Sequence, residues 1–134
     1  MTIDHIGIAV KSLEIAIPLY EKMLGTSCYK TEEVASEGVL TAFFKLGDSK
    51  IELLQSTTEQ GVIARFIEKK GEGMHHIAYA VSDLPAEMTR MKNEGFELLN
   101  AEPKRGADNK WVCFMHPKGT QGVLTELCQE IDQH

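Results

Sequence analysis

The string His5-Ile6-Gly7-Ile8-Ala9-Val10-Lys11-Ser12-Leu13 returns 71 positions later as His76-Ile77-Ala78-Tyr79-Ala80-Val81-Ser82-Asp83-Leu84. A repeat of this kind constrains the fold more than any local propensity, because both copies must solve the same packing problem. Two copies are too few for a solenoid, so the chain reads as a single domain built from two similar halves. Its 134 residues are enough to bury a core of their own.

The same succession of periodicities runs through each half. The first opens with a strand near 3–10, in which Ile6, Ile8 and Val10 alternate against His5, Gly7 and Ala9. Ser12 is placed to cap a helix over 13–24, with Ile15, Leu19, Met23 and Leu24 as its apolar face, Gly25 as its stop and Pro18 positioned to bend it. Strands are predicted at 27–34, 38–46 and 50–56, the last two joined by a turn at Gly47-Asp48. A linker helix over about 60–70 carries Val62, Ile63, Phe66 and Ile67 on one side and ends at Gly71-Glu72-Gly73. The second half repeats the order, with a strand at 74–82 and a helix at 84–94 capped by Ser82 or Asp83 and stopped at Gly95. Strands follow at 96–100, 110–116 and 121–128, with a polar loop over 101–109 and a turn at His116-Pro117-Lys118-Gly119. The predicted class is α+β. Two βαβββ modules, about 1–58 and 73–130, are related by a pseudo-twofold, and their curled sheets line a shared cleft with the helices outside.

Composition narrows the partners. A net charge of −6 argues against a nucleic-acid module, which would carry a basic face. No apolar run approaches the roughly 20 residues that span a bilayer, so no membrane partner is expected. The start, MTIDHIGIAV, lacks the basic, apolar and small-residue succession of a signal peptide. Cys28, Cys113 and Cys128 are odd in number and lack short spacings, which favours reduced thiols in a cytoplasmic protein over disulfides or thiolate zinc. Any metal must then be held by nitrogen and oxygen.

Alternation selects the ligands. His5 shares the cleft face with Gly7 and Ala9, whose small size leaves room for a ligand; by the repeat His76 shares that face, and His75 points the other way. The last strand of each half carries a carboxylate between apolar residues, Glu52 in Lys50-Ile51-Glu52-Leu53-Leu54 and Glu126 in Leu124-Thr125-Glu126-Leu127-Cys128. A buried carboxylate is costly unless paired or bound to metal. A lone histidine at a strand start is more often a packed or surface residue, and a lone glutamate more often pairs with a lysine. Two of each in repeat register make a set of four that fits one divalent ion: cobalt, nickel, manganese, iron or zinc rather than calcium. On an octahedral ion four protein ligands leave two positions for a chelating substrate.

These strings carry a family resemblance. DHIGIAV, KIELL, FIEKKGEGMHHIAYAV, HPKG and GVLTEL, in this order and spacing, resemble the vicinal oxygen chelate superfamily over essentially the whole chain, and within it the methylmalonyl-CoA epimerase family. The resemblance implies metal ligands at His5, His76 and Glu126, with Glu52 at a fourth position that is glutamine in some epimerases. It implies inversion at the α-carbon of methylmalonyl-CoA by proton removal and return through an enolate, with cobalt first among the candidate metals. Glu52 and Glu126 are the catalytic acid/base candidates, one from each half. Some epimerases carry a further glutamate at the position of Thr41, so this chain departs from them there. For the phosphates of coenzyme A the basic candidates are Lys104, Arg105 and Lys118, with Lys110 nearby. His116, His134 and Trp111 are read as structural. A homodimer is also implied. Two other functions fit the ligand set: glyoxalase I, and a metal or small-molecule binding protein without chemistry.

Overall fold

A computed structural model describes residues 1–131; His134, read above as a non-ligand, lies outside them. The elements run β1 (Thr2–Ala9), α1 (Leu13–Leu24), β2 (Lys30–Val34), β3 (Val39–Leu46), β4 (Ser49–Ser56), α2 (Val62–Lys70), β5 (Gly73–Ala80), α3 (Leu84–Asn93), β6 (Lys104–Gly106), β7 (Lys110–Met115) and β8 (Thr125–Glu130). Each half is therefore βαβββ, as the repeat predicts. Contacts divide the chain into His5–His75 and a second unit, in which Met1–Asp4 group with the residues from His76 onward.

In the first half the strand order is β2-β3-β4-β1. β1 runs parallel to β4, while β2, β3 and β4 form an antiparallel meander. The even residues of β3 and the odd residues of β4 face α1. Ala42, Phe44 and Leu53 bury against Val10, Leu13 and Ala16, with Ile8, Ile17, Tyr20 and Leu24 packed around them. The opposite face takes the other parity, and α2 closes one end of it through Ile63, Phe66 and Ile67 against Ala9, Leu54 and Val39. The space predicted beside Ala9 is thus filled by α2 rather than left for a ligand.

Two expectations for α1 need correction. Its inward residues are Leu13, Ala16, Ile17, Tyr20 and Leu24; Ile15, Leu19 and Met23 are exposed by 74%, 59% and 63%. The 3.6-residue period offers two apolar stripes, and the sheet took the one beginning at Leu13. The first turn is also not capped by the Ser12 hydroxyl. Leu13 N–H instead donates to Gln55 Oε1 of β4 at 2.7 Å. At the other end Gly25, with φ +67°, makes the left-handed stop, and its N–H donates to Glu21 O. Pro18 is carried within a continuous helix.

The second half has strand order β5-β8-β7-β6. β5 is parallel to β8, with β7 antiparallel to β8 and β6 to β7. α3 buries Leu84, Met88 and Met91 against Cys113, Met115 and Leu127. Of the two caps the sequence offers, Asp83 is the one used, accepting from Ala86 N–H at 3.1 Å. Leu84 N–H donates to Gln129 Oε1 of β8 at 2.6 Å, repeating the Gln55 contact. The predicted strand at 96–100 does not form. Leu98 makes only an isolated bridge to Met115, and the third strand is the short β6, inside the segment read as a polar loop. The pairing of Lys104, Arg105 and Gly106 with Val112, Trp111 and Lys110 supplies the ladder that composition did not announce.

The two glutamines tie each helix to the strand beside it. Loss of either acceptor strands a half-buried N–H at a helix start, where such groups already lack intrahelical partners. Gln55→Ala and Gln129→Ala are each expected to lower unfolding stability by about 1 kcal/mol. The measurement is the urea midpoint at unchanged slope; an unshifted midpoint would show that water replaces the amide without cost.

Candidate metal centre

In each half the carboxylate strand lies parallel to the histidine strand, and the register is the same. Glu52 sits beside Gly7 and Glu126 beside Ala78. His5 and His76 come two residues before those small neighbours, on the same face of their strands. With no side chain at Gly7 and a methyl at Ala78, nothing bulky stands between imidazole and carboxylate. His5 Nδ1 is 3.1 Å from Glu52 Oε2. His76 Nε2 is 3.3 Å from Glu126 Oε1. All four side chains are buried, with exposures of 4% for His5, 4% for Glu52, 7% for His76 and 5% for Glu126.

The structure therefore brings together His5 with Glu52 and His76 with Glu126. His75 takes the other face, as expected from the alternation, and its ring meets Phe66 of α2 edge-on at 4.9 Å between centroids. Each pair offers one imidazole nitrogen and one carboxylate oxygen in a buried setting, and residues of these kinds hold metal ions. Burial without a cation would leave each carboxylate with a large desolvation cost, which a divalent ion offsets. The donor set fits a divalent metal site.

A phenylalanine lies across from each carboxylate, in the register Phe43–Glu52 and Phe114–Glu126. A lysine stands over each ring: Lys30 Nζ lies 4.8 Å from the Phe43 centroid, and Lys104 Nζ lies 5.5 Å from that of Phe114. Phe114 also meets the His76 ring edge-on at 5.8 Å. Lys30 was not among the sequence candidates. Its place depends on the pairing of Lys30 with Phe43, which only the hairpin register sets. Thr41 is fully buried on the same strand face as Phe43.

The basic residues of the second half do not form one patch. Lys104 is over Phe114, and Arg105 stacks on Trp111 at 5.2 Å. Lys118 pairs with Glu97 at 2.7 Å, and this contact holds the Glu97 carboxyl below its ordinary range. Lys110 is buried and pairs with Asp4 at 3.5 Å and Glu130 at 3.4 Å. His116 Nδ1 accepts from Lys118 N–H at 3.1 Å, and Trp111 packs with the α3 core. The three cysteines are free thiols, and burial pushes the Cys113 thiol up from its ordinary value. Among the described residues no helix is long and apolar enough to cross a membrane.

Comparison with known proteins agrees with this geometry. Residues 4–114 match the model of the Glyoxalase/Bleomycin resistance protein/Dioxygenase superfamily. The chain is 41% identical over 129 residues to an ethylmalonyl-CoA/methylmalonyl-CoA epimerase of Cereibacter sphaeroides, covering 95% of this chain and 96% of that one. A variant of Streptomyces coelicolor methylmalonyl-CoA epimerase in complex with 2-nitronate-propionyl-CoA superposes with a TM-score of 0.94 at 35% identity, covering 97% of this chain and 94% of that one. A methylmalonyl-CoA epimerase in complex with methylmalonyl-CoA and NH4+ gives a TM-score of 0.93 at 36% identity, over 96% of this chain and 94% of that one.

Proposed function

The chain belongs to the methylmalonyl-CoA epimerase family of the glyoxalase/bleomycin resistance/dioxygenase superfamily, and from that premise we propose that it interconverts the (2R) and (2S) epimers of methylmalonyl-CoA. The observation that carries this reading is the pair of buried histidine–glutamate contacts, repeated in register in the two halves of one chain. We assign His5, His76 and Glu126, with Glu52, to a single divalent ion, cobalt first among the candidates, so that both halves work as one domain. A bound divalent cation supplies Lewis-acid stabilisation of negative charge on the thioester oxygen.

The remaining work falls to the chain itself. The α-carbon lies between a thioester and a carboxylate, so its proton is acidic enough for a positioned carboxylate to remove. Inversion requires removal from one face of the resulting planar enolate and delivery to the other. Glu126 and Glu52 are the two groups assigned to these transfers. Both side chains are buried, which limits their contact with bulk water. Position 41 is threonine here and carries no acid, so the proton-transfer partner that some epimerases place there has no counterpart in this chain.

The experiment is isotopic. The protein loaded with cobalt(II) in deuterated water is given methylmalonyl-CoA, and α-proton exchange and epimer ratio are followed. Exchange with inversion is the expected result. No exchange, together with turnover of methylglyoxal plus glutathione, would make it a glyoxalase I; metal binding with neither reaction would make it a binding protein.

Lys104 is assigned to the substrate's anionic groups, with Arg105 and Lys118 on the same half. Lys104 has the strongest support, because its ammonium overlies the ring that adjoins His76 and opposes Glu126. Lys104→Glu is expected to raise the Michaelis constant roughly 5- to 10-fold at low salt, converging on wild type as salt screens the charge. Metal content stays unchanged. An unaltered Michaelis constant at low salt would remove Lys104 from the substrate site. The setting that fits these roles is a cytoplasmic homodimer acting in propionate metabolism.

A further inference from the structure

The repeat aligns the two sheets row by row. Two residues beyond Glu52, the register of the first half sets Ala9, Leu54, Thr41 and Glu32 side by side on the face that carries Glu52. Two residues beyond Glu126, the second half sets Ala80, Cys128, Val112 and Lys104 in the same relation. Thr41 therefore stands where the other half has Val112. The two side chains share one shape and differ by a hydroxyl in place of a methyl. Val112 packs with Ala78, Cys128, Ala80 and Phe114, so the position itself asks only for an apolar group. Thr41, at 1% exposure, is buried at least as deeply.

The Thr41 hydroxyl has no structural task. It makes no hydrogen bond among the described residues. Thr125, also buried, donates to Val123 O at 3.0 Å. No side-chain oxygen among the described residues is both sealed from solvent and unpaired, so the trace of Thr41 that stays exposed includes its hydroxyl oxygen. A hydroxyl withdrawn from water without a partner weakens a fold, so packing alone would favour valine here as it does at 112. The strand neighbours show what lies to either side. Val39 and Leu54 pack against α2, while Phe43 lies across from Glu52. The unused donor is thus one row from the carboxylate assigned to the reaction. The charge beside it is balanced, because Lys30 Nζ lies 3.6 Å from Glu32 Oε1.

We propose that the Thr41 hydroxyl donates a hydrogen bond to an oxygen of the substrate's malonyl group, which makes it a specificity-determining residue of the first half. The inference rests on the epimerase reading. Thr41→Val, the residue of the second half, is expected to lower kcat/KM about 3- to 10-fold, the size of one neutral hydrogen bond. A rise in KM at constant kcat identifies the acceptor as the carboxylate, whose charge is the same throughout the reaction. A fall in kcat identifies it as the thioester oxygen, whose charge grows in the enolate. Metal content stays unchanged, and the thermal midpoint holds or rises, because no protein hydrogen bond is lost. Thr41→Ser keeps the hydroxyl and is expected to stay within about 2-fold of wild type in kcat/KM. Wild-type kcat/KM in Thr41→Val overturns the contact and leaves the epimerase reading standing, since a hydroxyl that holds only water would behave this way. A lowered thermal midpoint in Thr41→Val also overturns it, by showing a structural partner. A wild-type protein that exchanges no α-proton of methylmalonyl-CoA overturns both readings together.

Discussion

Glu126→Gln is expected to abolish inversion in both directions while leaving part of the proton exchange in place. With one carboxylate removed, the enolate can no longer receive a proton on the face that Glu126 serves. The epimer whose α-proton faces Glu52 still gives that proton up and takes a solvent deuteron back on the same side, so it washes out label without changing hand. The other epimer exchanges more slowly by roughly 10²- to 10⁴-fold, the range of a single general acid/base. Glu52→Gln produces the mirror pattern. Both variants are assayed at saturating cobalt(II), with metal content measured beside deuterium uptake, because each substitution also weakens a ligand. Full exchange and full inversion with full metal retention in both variants would overturn the two-glutamate assignment.

Metal removal is expected to have the second large effect. On the proposed assignment, a protein stripped by chelation and dialysis should lose epimerisation by more than roughly 10³-fold. Return of a divalent ion restores it. The same titration reads stability. An ion that binds the folded chain at a hundred times its dissociation constant stabilises it by about 2.7 kcal/mol, seen as a rise in thermal midpoint. His5→Ala or His76→Ala is expected to flatten that rise. Full activity in protein verified as metal-free would show that the buried pairs do their work without an ion.

The histidines and carboxylates were legible because strand alternation has a period of two and the repeat supplies a second reading of every position. His76 rather than His75 is chosen by that comparison alone. Features that depend on which strand lies beside which were not legible. Lys30 belongs to the site surroundings only because β2 pairs it with Phe43. Lys118 reads as a phosphate-binding candidate from its sequence, but its contact with Glu97 depends on the turn between β7 and β8. The face of α1 was misread because two apolar stripes satisfy the same helical period, and α3, whose outer face is polar, could have settled the choice. The glutamine contacts were within reach of the sequence. Gln55 follows Glu52 by three residues, and Gln129 follows Glu126 by three, so the repeat carries them to the opposite sheet face beneath the helix starts.

The placement of Met1–Asp4 with the second unit bears on how such a chain can be recombined. The repeat suggests a cut between His75 and His76 as the natural joint for shuffling halves among relatives. Such a cut carries Asp4 away with the first half and leaves Lys110, a buried lysine, without one of its carboxylates. Hybrids spliced there therefore need a donor for the first four residues that matches the second half. In gene-level terms the crossover points are two, after Asp4 and after His75, and a chimera that respects only one of them, from a donor without an acid at position 4, leaves Lys110 with Glu130 as its remaining carboxylate partner of the two.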